Sequence, residues 1–116
     1  MRVLITGASG RIGRYTVREF LNGGHQVTAI DIVPPHAEGA ASLRVDLTDA
    51  GQVYQALAMA RAEVVVHLGA WANAGIVAHS LTYGDNVRGT YNIFQACADL
   101  GIARVVSASS AQVYGM

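Results

Sequence analysis

The sequence contains no lysine: all eight basic residues, at positions 2, 11, 14, 18, 44, 61, 88 and 104, are arginine. Its single cysteine, Cys97, excludes an internal disulfide and fits a reducing cytoplasm. Charged residues make up only 14% of the chain and cancel to a net +0, against roughly a quarter in an average soluble domain. That balance gives no electrostatic basis for binding nucleic acid or an acidic membrane surface. No apolar run approaches the roughly 20 residues that cross a bilayer. Glycines interrupt the opening MRVLITGASG too early for a signal peptide. No repeat, low-complexity tract or metal-ligand cluster is legible.

What is there alternates short β-rich runs with longer helical stretches. Val3-Leu4-Ile5 reads as a buried strand. Residues 11–22 read as an amphipathic helix carrying Ile12, Tyr15, Thr16, Glu19, Phe20 and Leu21, stopped by Asn22-Gly23-Gly24. Strands are expected at Gln26–Ile32, Leu43–Val45, Glu63–Leu68 and Ala103–Ala108, with Pro34-Pro35 breaking the chain after the second. Thr48 or Asp49 can cap a helix whose inner stripe is Val53, Leu57 and Ala60. After a glycine- and alanine-rich loop to about residue 80, a long helix reaches Leu100. Its expected inner face is Val87, Thr90, Ile93 or Phe94, Cys97 and Leu100, with Gly101 just beyond. Strands alternating with helices predict an α/β domain with a Rossmann-type doubly wound parallel sheet, order 3-2-1-4-5.

Gly7, Gly10 and Gly13 follow the first strand and open the first helix. A tight turn there needs positive φ, and a side chain at the middle glycine would keep a diphosphate off the backbone. The helix start supplies unpaired N–H groups and a partial positive charge for that anion. A Walker-type phosphate loop is excluded, since no Gly-Lys-Ser/Thr follows. Asp31 closes the second strand, where a carboxylate can accept from an adenosine ribose and repel a 2′-phosphate. NAD is therefore expected over NADP, although Arg11 and Arg14 border the turn. His67 reads as a satisfied strand-end histidine rather than a base. Trp71 and His79 fall near where substrate would approach, with no further account.

Taken together, the glycine turn, Asp31, Asp46-Leu47, HLGA at 67–70, NVRGTYN at 86–92 and SASSAQVYG at 107–115 resemble the extended short-chain dehydrogenase/reductase family. More narrowly, they are similar to its NAD-dependent epimerase/dehydratase branch, typified by UDP-glucose 4-epimerase. The resemblance implies that the glycine turn with Arg11 and Ile12 holds the diphosphate and Asp31 the ribose. It puts Asp46 and Leu47 beside the adenine, and Leu68, Gly69, Ala70 and Ala72 along the cofactor after the fourth strand. It turns Asn86 toward the cofactor side. Ser110, with Ser109 as the fallback if the register is off by one, would hydrogen-bond the substrate's hydroxyl or carbonyl. The family's YxxxK pair has no counterpart in these residues, since Tyr114 belongs to a different landmark and lysine is absent. Where dehydratases carry an acidic pair, Ala111 and Gln112 stand instead, which argues against dehydration.

The resulting expectation is the NAD-binding N-terminal portion, residues 1–116, of a sugar-nucleotide epimerase or related enzyme. A uronate or sugar dehydrogenase and a non-catalytic nucleotide-binding module are the alternatives. A nucleotide sugar is the expected substrate. The chain is read as truncated after the fifth strand, inactive alone, cytoplasmic, and prone to self-association through apolar surface left uncovered.

Overall fold

The structure, a computed structural model, describes residues 1–71 and 76–109. Its elements run β1 (Arg2–Thr6), α1 (Arg11–Asn22), β2 (Gln26–Asp31), β3 (Ala41–Arg44), α2 (Ala50–Ala60), β4 (Val64–His67), α3 (His79–Asp99) and β5 (Arg104–Ser107). The five strands form one parallel sheet in the order β3-β2-β1-β4-β5, as the alternating pattern predicts. The order reverses between β1 and β4, with Thr6 facing Ile30 on one side and His67 on the other.

The strand period of two divides the core between two faces. Leu4, Ile30 and Val65 pack under α2 and α3 with Val53, Leu57, Ile93 and Cys97. Val3, Ile5, Val27, Ala29, Val64 and Val66 pack under α1 with Val17. Because both faces are covered, the central strands are apolar along their length, which is why they read as continuous runs rather than alternations.

Several boundaries and facings differ from the sequence reading. β2 ends at Asp31 because the Asp31 carboxylate accepts the amides of Ile32 (2.7 Å) and Val33, turning the chain away. β3 begins earlier, at Ala41, and ends at Arg44, while β4 and β5 are each trimmed by one residue at both ends. Ile12 and Tyr15 point outward, Ile12 being 69% exposed. The inner stripe of α1 is Gly13 and Val17, with Phe20 and Leu21 packed beside it. Gly13 sets that rotation: the helix lies so close to the Gly7–Ala8 turn after β1 that no side chain fits between them. On α3 the inner residues are Gly89, Asn92, Ile93, Ala96 and Cys97, leaving Val87 and Leu100 exposed and choosing Ile93 over Phe94. Here too a glycine fixes the facing, since a Cβ on Gly89 would come 3.1 Å from Leu47 Cβ. Of the two candidate caps for α2, Asp49 serves, accepting from the Gln52 amide at 3.1 Å.

Candidate functional site

The carboxyl ends of β1, β2 and β4 lie together at the point where strand order reverses, the place where open parallel sheets bind ligands in a cleft. The glycine turn forms one wall. Gly7 adopts φ +67°, and a Cβ on it would lie 2.7–2.8 Å from backbone atoms of Leu68 and Gly69. A Cβ on Gly13 would overlap the Gly7 carbonyl oxygen outright. Gly10 differs, because its Cβ would meet only that carbonyl, at 3.2 Å. Two of the glycines thus serve packing, and the third keeps the mouth of the cleft clear.

The turn's amides are divided in the same way. Ala8 donates to the Ile30 carbonyl, Gly10 to the Gly7 carbonyl, and Ser9 to Asp31 Oδ2 at 3.0 Å. The amides of Arg11 and Ile12, in the first turn of α1, donate to nothing among the described residues. They are the groups a helix start offers an anion. Gly10 and these two amides form a cradle that fits a diphosphate.

Asp31 is half-buried and more occupied than its sequence position suggests. Its carboxylate accepts from Ser9, Ile32 and Val33, while the Ser9 hydroxyl donates to the Val33 carbonyl at 2.7 Å. The glycine turn is thereby latched to the end of β2. A carboxylate has about four acceptor positions, so capacity remains for ribose hydroxyls.

Asp46 Oδ1 accepts from the Thr48 amide and hydroxyl, at 3.0 and 2.7 Å, which shapes the turn into α2. Leu47 lies over Gly69 and Gly89, and its carbonyl accepts from Asn92 Nδ2 at 2.8 Å. Leu68 packs on the α1-side core, and Ala70 is exposed. Asn86 Oδ1 accepts the Trp71 amide at 2.8 Å and Nδ2 donates to the Trp71 carbonyl. Its amide thus binds the loop after β4 through one donor and one acceptor position, and a second of each remains. Trp71 Nε1 also donates to Asp85 at 2.9 Å, so the tryptophan clamps that loop to α3. His79 is the exposed first residue of α3. Ser109 is exposed past the end of β5, while Ala72 and Ser110 lie outside the described residues.

His67 is buried and bonded at both ring nitrogens, to Thr6 Oγ1 at 2.8 Å and Thr90 Oγ1 at 3.0 Å. Burial lowers its pKa from the ordinary 6.5. Thr6, Ser9, Thr90 and Asn92 escape sequence reasoning, because each is defined by a partner far away in the chain. Among the described residues no group of three or more His, Cys, Asp or Glu converges on a metal site, and no helix is long and apolar enough to cross a membrane.

A parallel sheet in this order, with a glycine turn at its reversal, defines a Rossmann-type domain. The model of the NAD dependent epimerase/dehydratase family matches residues 3–116, and the chain belongs to that family. It is 36% identical to dTDP-6-deoxy-L-talose 4-dehydrogenase (NAD(+)) from Aggregatibacter actinomycetemcomitans, over 99% of this chain and 43% of the relative. The UDP-glucose 4-epimerase of Thermus thermophilus, solved in complex with NAD, superposes with a TM-score of 0.86 at 31% identity, over 95% of this chain and 38% of the other. A uronate dehydrogenase variant from Agrobacterium tumefaciens, complexed with NAD, gives 0.79 at 31% identity, over 94% and 40%. The chain therefore spans about two fifths of the length of these proteins.

Proposed function

We propose that residues 1–116 form the NAD-binding portion of a sugar-nucleotide epimerase or dehydrogenase that works by reversible hydride transfer. The observation that carries this is the pair of unengaged amides at Arg11 and Ile12, open to the cleft beside Gly10. They would hold the diphosphate, and Asp31 would accept from the adenosine ribose. Asp46 and Leu47 would flank the adenine, with Leu68, Gly69 and Ala70 bordering the nicotinamide end. When bound, the cofactor supplies the hydride chemistry. Ser110, or Ser109 one residue earlier, would hydrogen-bond the reacting oxygen of a nucleotide sugar. The lone thiol, Cys97, is free and buried, in keeping with a cytoplasmic setting.

Titration with both cofactors tests the site. NAD should bind more tightly than NADP, by about tenfold or more, because a 2′-phosphate would approach the Asp31 carboxylate. Equal or tighter NADP binding would end the assignment. A second reading, a sugar or uronate dehydrogenase, is favoured by HLGA at 67–70, which also suits that relative, and by similarity to the two dehydrogenases. Stoichiometric NADH release from a uronate by the intact enzyme would select it over epimerisation.

The same reading includes self-association. Tyr83, Val87, Tyr91 and Phe94 recur at helical spacing along the outer side of α3, and Val106 of the edge strand β5 is 60% exposed. Apolar surface in such a stripe marks an interaction face. Sedimentation should report a dimer or larger species, and a clean monomer at high concentration would count against it.

A further inference from the structure

Thr6, His67 and Thr90 form a buried hydrogen-bonded chain across β1, β4 and α3 whose polarity can be deduced. Thr6 Oγ1 accepts from the amides of Leu68 at 3.0 Å and Gly69 at 2.8 Å. A hydroxyl has two acceptor positions and one proton. With both positions filled, the Thr6 proton must go to His67 Nδ1, 2.8 Å away. Nδ1 is therefore bare, and the ring proton sits on Nε2, donated to Thr90 Oγ1. Thr6 is 0% exposed and His67 4%, so solvent does not reach the bond between them.

We propose that His67 is a positioning residue: while its ring is neutral it orients Thr6 to hold Leu68 and Gly69 against the glycine turn, and protonation of the ring releases that loop. The proposal rests on the cofactor reading above, since this loop borders the cleft. Adding a proton at Nδ1 would give Thr6 three donors for two acceptor positions and leave its own proton without an acceptor. At least one loop amide would then lose its bond. The movement would reach the glycine turn directly, because the Leu68–Gly69 backbone occupies the space where a Gly7 Cβ would sit.

Burial alone shifts the His67 titration. On α3, Asp85 is bonded to Trp71 and Arg88 is exposed. Opposite His67, β5 presents Ser107, with Arg104 at its far end, and β1 carries Arg2 at its far end. Because burial disfavours the charged ring, release falls on the acid side of 6.5. The sign for stability is the same. Below that value the unfolded chain binds a proton that the folded chain resists, so stability drops as pH falls and is fully present above it.

The test uses the intact protein. Long-range proton–nitrogen NMR of labelled histidine should show His67 as the Nε2–H tautomer at neutral pH, and an Nδ1–H tautomer would overturn the proposal. Between about pH 8 and pH 5, NAD affinity of the wild type should weaken by about tenfold, while His67→Asn, whose side-chain oxygen can accept from Thr6 without titrating, should stay flat. Parallel profiles in the two proteins would also overturn it. Amide exchange at Leu68 and Gly69 without NAD gives an independent reading: acidification should cost protection in the wild type and not in the variant. If neither protein binds NAD at any pH, the cofactor reading fails, and exchange together with the tautomer still decides the role of His67.

Discussion

Gly13→Ala should abolish the cooperative unfolding transition or lower stability by more than about 4 kcal/mol. The added methyl would overlap the Gly7 carbonyl oxygen and sit 2.8–2.9 Å from further backbone atoms of Gly7 and Ala8. None of these is the end of a flexible side chain that could swing away. Relief requires α1 to lift off the Gly7–Ala8 turn, which loosens the contact between Val17 and the α1-side core. Against a total stability of about 5–15 kcal/mol for a small domain, that is a large share. Gly10→Ala is the informative contrast. Its backbone has an ordinary φ of −74° and its Cβ would meet a single atom at 3.2 Å, so the fold should lose less than about 1 kcal/mol. Cofactor affinity should nevertheless fall, because the methyl would project into the proposed diphosphate cradle. Chemical denaturation and NAD titration of the two variants, side by side, separate the packing glycine from the binding one. Equal loss of stability in both would refute the division of labour.

Thr6→Val should cost about 3 kcal/mol or more, although valine has nearly the same shape. Among the described residues the hydroxyl is the one partner of two part-buried backbone amides, those of Leu68 and Gly69, and of His67 Nδ1. Each buried polar group left unpaired costs about 1–3 kcal/mol. Thr6→Ser keeps the oxygen and loses one methyl, an effect near 1 kcal/mol. Urea unfolding of the pair distinguishes a polar role from a packing one. If serine were as damaging as valine, the methyl rather than the hydroxyl would be what matters at this position.

How much of this was readable in advance depends on distance along the chain. The strand–helix alternation, the glycine turn and the cap at Asp49 are local: each is encoded by residues within a turn or a period of one another. The family landmarks are ordered strings and are equally legible. The facings of α1 and α3 were not, because apolar Ile12, Tyr15 and Val87 compete with glycines for the inner side. A periodicity reading ranks side chains by hydropathy, whereas close approach of backbones ranks them by size. The bonds of Asn86 are illegible for a similar reason. Nothing in its neighbourhood announces that Trp71, 15 residues earlier, would engage both ends of its amide.

Element order, the parallel sheet and the glycine turn after β1 follow from short-range stereochemistry and hydrophobic period. The facing of the helices, the latch from Asp31 to Ser9 and the hydrogen-bonded chain of Thr6, His67 and Thr90 arise instead from the packing of elements distant in the chain. Thr6 and His67 are separated by 61 residues. A hydrogen bond across such a span depends on where two strands come to lie side by side, and no local pattern carries that information.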